Sequence, residues 1–310
     1  MINIAVISAS RRTDIPAFYS DWFLNRIKEG YVDVINPFNT KQANRLSLSK
    51  KDVDCIVFWT KNPQPLLEKI DKLDGYRYYF QFTVNGYGKE AEPGVPDLDM
   101  IAETFINLSD KIGKEKVIWR YDPIIITPEF TVNWHCKHFS EIAEMLHNYT
   151  EKCVFSFADM YARTKRNCKD LSLRDITAEE IETIASSFSD TCHRYNLEIS
   201  TCCEAADLQK YGITHNRCID DVLIKRLFGV SVDSKKDAQR EHCGCVKCTD
   251  IGAYNTCLHR CKYCYATFNH DRVVDNVKGH DPSSSILIGK LADDVKIYPK
   301  KRTTSTLDDF

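Results

Sequence analysis

The chain has 310 residues, 43% of them hydrophobic and 28% charged, with a formal net charge of −2 at neutral pH. That size and composition suffice to bury one large α/β core or two smaller ones, and they exclude general disorder. The near balance of charge gives the molecule no global electrostatic reason to bind nucleic acid, although a local basic groove stays open to it. In chain order, apolar runs rich in β-branched and aromatic residues predict strands over 2–9, 31–36, 53–60, 78–84, 116–121, 153–157 and 197–202. Between them, apolar residues at helical spacing predict helices over 16–29, 65–73, 97–112, 132–148 and 177–195, the last opened by a capping box of Thr177 and Glu180. An eighth strand is expected near 252–255. Strand followed by helix, repeated, means a parallel sheet, and about eight strands is the number that closes a TIM-like (β/α) barrel. The expectation is therefore an α/β barrel, closed or nearly so; an open doubly wound sheet is the alternative, and periodicity alone does not choose.

Residues 1–230 read as the barrel body and 231–295 as a cysteine-rich segment completing it. Within the latter, 231–249 is a polar excursion organised by metal rather than by an apolar core. A polar tail, 296–310, is expected to fray or to dock as a strand. The apolar start of the chain is short and runs into Arg11 and Arg12 rather than a cleavage site, and no run approaches bilayer-spanning length. The sequence thus reads as cytoplasmic, with no membrane partner. Of its 14 cysteines, nine lie between Cys202 and Cys264, and in a reducing compartment such crowding points to metal rather than disulfides. Cys55, Cys136, Cys153, Cys168 and Cys192 are scattered and read as ordinary core or surface thiols.

The most informative stretch is Cys257-Leu-His-Arg-Cys261-Lys-Tyr-Cys264. Three thiolates spaced in this way can hold three irons of a [4Fe–4S] cluster and leave the fourth iron without a protein ligand, which makes a cluster a place where something binds and reacts. The competing reading is zinc, with His259 as fourth ligand, but a short loop wrapping a tetrahedral ion around an internal histidine is awkward. Together with Tyr263 before the last cysteine, the spacing resembles the signature of radical S-adenosylmethionine (SAM) enzymes. Cys261-Lys-Tyr-Cys264-Tyr265-Ala266 resembles the spore photoproduct lyase-like branch of that superfamily. Over nearly the whole chain, Ile7-Ser-Ala-Ser-Arg-Arg-Thr-Asp-Ile-Pro-Ala-Phe18, Cys202-Cys-Glu204, Cys218-Ile-Asp220 and Asp250-Ile-Gly-Ala-Tyr-Asn-Thr-Cys257 resemble the uncharacterised bacterial family DUF1848.

That resemblance implies a C-terminal cluster of the radical SAM type and no particular substrate. The superfamily likeness implies SAM as cofactor, chelated by the open iron and cleaved by one electron from a donor such as flavodoxin or ferredoxin, to start hydrogen abstraction. The lyase likeness makes a nucleic acid or nucleotide the first substrate to consider; a small metabolite or a peptide is equally admissible. The rival readings are a non-catalytic zinc or iron–sulfur protein that senses redox state or binds a partner, and an ordinary hydrolase or lyase with structural metal.

In most of the superfamily the cysteine loop follows the first strand, whereas here it follows the last. A closed barrel tolerates this as a circular permutation, because its last and first strands are neighbours. The turn after the first strand then faces SAM, which makes Ser10, Arg11, Arg12 and Asp14 cofactor-binding candidates beside Tyr263. The plainer reading is that Asp14 caps the helix starting at Pro16 and that Arg11 and Arg12 are a helix-start charge pair. Polar residues at strand ends are the default catalytic candidates of a barrel: Lys61, Arg120, Asp122 and Glu204, with Trp59, Asn62, Gln81, Thr83, Asn85, Ser156 and Asp159 around them. A second, auxiliary [4Fe–4S] cluster is expected on Cys202, Cys218, Cys243 and Cys245, with Cys203 and Cys248 as substitute ligands; the plainer reading makes some of them buried thiols.

Overall fold

The computed structural model describes residues 5–36, 39–235 and 243–299. Its strands are β1 (Ala5–Ala9), β2 (Tyr31–Asn36), β3 (Asn39–Ser47), β4 (Val53–Thr60), β5 (Tyr78–Thr83), β6 (Val117–Ile124), β7 (Lys152–Phe157), β8 (Glu198–Thr201), β9 (Thr214–His215), β10 (Thr249–Asp250) and β11 (Lys296–Pro299). The helices are α1 (Ile15–Phe18), α2 (Ser20–Glu29), α3 (Gln64–Leu67), α4 (Gly88–Ala91), α5 (Leu98–Ile112), α6 (Val132–Leu146), α7 (Ala162–Asn167), α8 (Ala178–Arg194), α9 (Asp221–Phe228) and α10 (His270–Lys278).

Eight strands form one sheet in the order β10-β1-β4-β5-β6-β7-β8-β9, and every neighbouring pair is parallel. The fold is a mixed α/β fold. The strand from the end of the chain lies beside β1, as the permuted arrangement requires, and the order from β1 to β9 never reverses. Closure is where expectation and structure part: among the described residues no ladder joins β9 to β10, so hydrogen bonds do not close the sheet into a barrel. The physical reason is length. Both edge strands have only two residues, too few to carry a ladder across the remaining gap.

Other expectations are corrected locally. Residues 31–36 leave the main sheet to pair antiparallel with β3, a polar strand with no alternation to reveal it. The strand expected near 252–255 lies instead at Thr249–Asp250. The helix expected over 16–29 breaks at Tyr19, and that over 65–73 is α3 followed by a 3₁₀ turn. The start of the tail does dock, as β11 parallel to β3; residues 2–4 of the first expected strand and 300–310 of the tail lie outside the described residues. The Thr177–Glu180 capping box is present, and no described helix is long and apolar enough to cross a membrane.

Strands buried on both faces read as continuous apolar runs, and Cys55-Ile-Val-Phe-Trp59 of β4 is one. One face, carrying Ile7, Ile56, Phe58, Phe80, Trp119, Tyr121 and Phe155, packs under the helices, where Phe139 of α6 stacks on Phe188 of α8 at 3.7 Å. His135 of α6 is sealed there: Nε2 donates to the Ile125 carbonyl (2.9 Å), so Nδ1 accepts from the Tyr121 hydroxyl (2.8 Å). The opposite face, carrying Val6, Cys55, Val57, Tyr79, Ile118 and Val154, is covered by Ile224 of α9 and by Cys218, Cys243, Cys245 and Val246. The cysteine-rich excursion is thus folded onto the sheet.

Candidate functional site

Because all eight strands run the same way, their C-terminal ends share one end of the sheet, and the turns after β1, β4, β5, β6, β7, β8 and β10 meet there. Asp250 of β10 fastens the first of these junctions. Its carboxylate accepts from Ser8 Oγ (2.9 Å), Ser10 Oγ (2.6 Å), and the backbone N–H groups of Arg11 (2.8 Å) and Gly252 (2.9 Å). A Cβ on Gly252 would stand 2.0 Å from Ser10 Oγ, so only glycine lets the two turns approach.

The 257–264 loop is moored from within. His259 Nε2 is 2.8 Å from Asp14 Oδ2, and its Nδ1 is 3.2 Å from the Gly94 carbonyl. Asp14 also caps α1 through the Ala17 N–H and accepts from Thr60 Oγ1 (3.0 Å) and the Lys61 N–H (2.7 Å). Gly94 donates to the His259 carbonyl (2.8 Å), and a Cβ at that glycine would lie 2.4 Å from the Leu258 carbonyl oxygen. Tyr263 donates to Glu92, whose Oε1 also takes Lys61 Nζ (2.8 Å) and Asn85 Nδ2 (3.2 Å). Cys261 is buried, Cys257 and Cys264 partly so; Cys261 feels both other cysteines of the loop, and Cys257 feels Cys264. Burial pushes both thiols up; Asp14 adds to this at Cys257, whereas Lys61 opposes it at Cys261.

A second neighbourhood lies deeper, on β6 to β8. Arg120 is 2% exposed; it pairs with Asp122 through Nε (3.0 Å) and Nη2, and Nη1 reaches Gln81 Oε1 (3.3 Å) and Cys218 Sγ (3.0 Å). Ser156 donates to Asp122, and Asn85 bonds both the N–H and the carbonyl of Asp122, which joins this network to Glu92 and Tyr263. Trp59 lies beneath two guanidinium groups, Arg120 at 5.2 Å and Arg11 at 5.9 Å, and its Nε1 is buried with no hydrogen-bond partner among the described residues. Glu204 accepts from the Phe157 N–H (2.8 Å); burial first, then Asp122, Asp159 and Cys202, raise its carboxyl to about 7.

The cysteines expected to hold an auxiliary cluster do come together. Cys202 and Cys218 have their sulfurs 3.1 Å apart, Cys218 is in hydrogen-bonding contact with Cys245, and Cys245 with Cys243. Cys203 Sγ is 3.9 Å from Cys202 Sγ, while Cys248 Sγ takes a hydrogen bond from Arg11 Nη2 (3.0 Å). No disulfide joins the described cysteines. Among the described residues, no three or more His, Cys, Asp or Glu side chains stand in the arrangement that encloses a single metal ion.

The residues expected at the site therefore fall into two connected groups. Ser10, Arg11, Asp14 and Lys61 lie around the 257–264 loop, which carries Tyr263; Arg120, Asp122, Glu204 and Cys202, Cys218, Cys243 and Cys245 form the second. Arg12 turns to the stacked pair Tyr254 and Phe268, 5.1 Å from the Tyr254 ring. Asp14 has the capping role of its plainer reading and a tether to His259 besides. Asp250, Glu92 and Thr13 were not foreseen. Thr13 is buried beside Gly252, its hydroxyl without a hydrogen-bond partner among the described residues. Glu92 lies in a connection with no periodicity or spacing to mark it.

Fold and site define a parallel-sheet α/β protein with a three-cysteine loop at the ends of its strands. Residues 6–266 match the family described as Domain of unknown function (DUF1848), and the chain belongs to that family. No curated protein matches it. Solved structures similar to it include a protein assigned as an alpha-L-fucosidase of Bacteroides thetaiotaomicron VPI-5482, 11% identical, with 69% of this chain and 88% of that chain covered at a TM-score of 0.30. An endoglucanase is 12% identical, with 81% and 91% covered at a TM-score of 0.24.

Proposed function

We propose that the chain is a radical SAM enzyme whose [4Fe–4S] cluster is held by Cys257, Cys261 and Cys264. The observation that carries this reading is how the loop is moored. His259, its one nitrogen donor, is committed to Asp14 and Gly94, which leaves three sulfurs and no fourth ligand from the loop for a tetrahedral zinc ion. The donor set is soft and all-sulfur, which suits an iron–sulfur cluster. Such a cluster gives each thiolate its own iron, so its cysteines stand further apart than ligands around a single ion. When bound, the cluster and SAM would supply hydrogen-atom abstraction.

The chain's own residues have separate tasks in this reading. Asp14 and Glu92 hold the loop through His259 and Tyr263, and Asp250 holds the turn carrying Ser10 and Arg11. Lys61, with Asp14 to one side and Glu92 to the other, sets positive charge beside Cys261; its own burial opposes that charge, and Glu92 and Cys261 outweigh it. Thr13 Oγ1 and Trp59 Nε1, without a hydrogen-bond partner among the described residues, are donors left over for cofactor or substrate. Arg120 and Trp59 suit an anionic substrate with a stacking face, a nucleotide or nucleic acid before a neutral metabolite or a peptide. The unreversed strand order supports a TIM-like barrel with its cysteine loop permuted to the C-terminal end. A reductant such as flavodoxin or ferredoxin, in a reducing cytoplasm, completes the reading.

The test is anaerobic: protein reconstituted with iron and sulfide, then given dithionite and SAM, should release 5′-deoxyadenosine and methionine. Colourless protein, or a brown one that leaves SAM intact, would contradict the proposal.

A further inference from the structure

We propose that the surface bordering the 257–264 loop, built on Arg12, Tyr254, Phe268 and the basic side chains of and after α7, is a docking face for single-stranded nucleic acid. The inference narrows the substrate class of the site described above; its chemistry rests on the radical SAM reading, whereas binding to this face does not.

The first support is a ladder of side chains outside the apolar core. Tyr254 stacks on Phe268 with ring centroids 5.3 Å apart, and the Arg12 guanidinium lies 5.1 Å from the Tyr254 ring. The two turns that carry the rings are locked together: Asn255 Oδ1 accepts from the Phe268 N–H (2.6 Å), and the Asn255 N–H donates to the Ala266 carbonyl (3.0 Å). Tyr265, the residue after Cys264, donates its hydroxyl to the Arg11 carbonyl (2.6 Å). Tyr254 and Tyr265 keep 37% and 49% of their surface exposed. Single exposed aromatics are ordinary on a protein surface. A stacked pair with a guanidinium against it and a third ring nearby is instead the kind of platform on which unpaired bases stack.

The second support is charge. Arg166 Nη2 donates to the Phe268 carbonyl (3.1 Å) and Asn167 Nδ2 to the Thr267 carbonyl (3.5 Å), so the end of α7 docks against the ladder. That contact brings the exposed Lys165, Arg166 and Lys169 to its side. Asp170 beside them is matched by Lys262 (2.5 Å), and Asp271 at the start of α10 is offset by the neighbouring Arg272. In a chain with a net charge of −2, such a surface is a local concentration of positive charge rather than a share of general basicity. Phosphates are drawn to it.

The third support is the way inward. Arg11, whose carbonyl holds Tyr265, reaches to 5.9 Å from the Trp59 ring, and Arg120 lies 5.2 Å from that ring. A nucleotide leaving the ladder therefore meets a guanidinium, an indole and a second guanidinium in turn. Ring faces recognise bases only when these are unstacked; a duplex keeps its bases stacked on one another and offers their edges alone. The face thus fits a single strand.

The test is fluorescence anisotropy on the full-length, reconstituted protein without air and without SAM, using labelled mixed-sequence single strands of about 20 nucleotides, DNA and RNA, with duplex of the same length and polyglutamate as competitors. Binding of the single strand is expected, with a logarithmic salt slope of about −2 to −3 from three or four phosphate contacts. Tyr254→Ala should weaken it about tenfold with little change in that slope. Lys165→Ala combined with Lys169→Ala should make the slope shallower by about 1.4; should Tyr254→Ala fail to fold, this variant, which alters exposed side chains alone, decides. No binding at low salt, equal competition by duplex or polyglutamate, or an affinity and slope that neither variant moves would each overturn the proposal. SAM cleavage is assayed on the same preparation: cleavage without strand binding sinks this inference alone, whereas binding without cleavage supports it and contradicts the radical SAM reading.

Discussion

The two groups of cysteines at this end of the sheet are built in opposite ways. Cys257, Cys261 and Cys264 belong to one short loop whose spacing is set by the chain itself, and the fold's contribution is to moor that loop through His259 and Tyr263. Cys202, Cys218, Cys243 and Cys245 have no local spacing in common; three segments on either side of the sheet's gap bring them together. A ligand set within one loop can leave a coordination position open for chemistry, whereas buried contacts gathered from several segments tie those segments together. The first group should therefore govern activity, and the second stability.

The largest expected effect separates them directly. Cys257→Ala should abolish SAM cleavage while leaving the thermal unfolding midpoint within a few degrees of the original; Cys218→Ala should lower that midpoint sharply, because it removes a buried thiol and leaves the Arg120 and Asn216 donors facing a methyl group. Equal melting behaviour of the two variants would erase the distinction. Next in size is Asp14→Asn. The amide would turn a donor toward some of the groups that now donate to Asp14, among them Thr60, Lys61 N–H and His259. A loss of about 2–4 kcal/mol in denaturant unfolding is expected, together with weaker retention of the iron of the first group.

Glu204 gives a smaller, pH-dependent effect. Its carboxyl ionises near 4.5 in an unfolded chain and at about 7 in the fold, so the folded state binds the extra proton between those values. Its contribution to stability is full below 4.5 and is lost as pH rises through about 7. Glu204→Gln should therefore stabilise the chain by about 1–3 kcal/mol at pH 8 and hardly at all at pH 4.5; a stability difference that does not change with pH would contradict this. The smallest change, Thr177→Ala, removes one arm of the α8 capping box far from either cysteine group. It should cost about 1 kcal/mol and leave metal content and activity alike untouched.

How much of this could be read beforehand follows the same division. The α/β class, the strands 53–60, 78–84 and 153–157, and the 257–264 loop are legible because strand burial and ligand spacing are local properties. The auxiliary quartet could be named because Cys202 lies at a strand end and the others in segments that follow. What stayed hidden depends on contacts remote in sequence. Residues 31–36 have the same apolar look as a core strand, and only the partner β3 removes them to a second sheet. Glu92 carries no sign of its role until Lys61, Asn85 and Tyr263 converge on it. The count of eight was met by a different set of strands, since 31–36 left the sheet and β9 took a place that no apolar run announces, and the two-residue edge strands that leave it unclosed by hydrogen bonds carry no signal in the sequence.

The central claim is that the first group keeps an iron free for SAM. Low-temperature electron paramagnetic resonance of the anaerobically reduced protein, recorded before and after adding SAM, tests it most directly. A reduced [4Fe–4S] signal whose g-values shift when SAM is added is predicted. A cluster signal indifferent to SAM, or none in a protein reconstituted with iron and sulfide, would contradict the account.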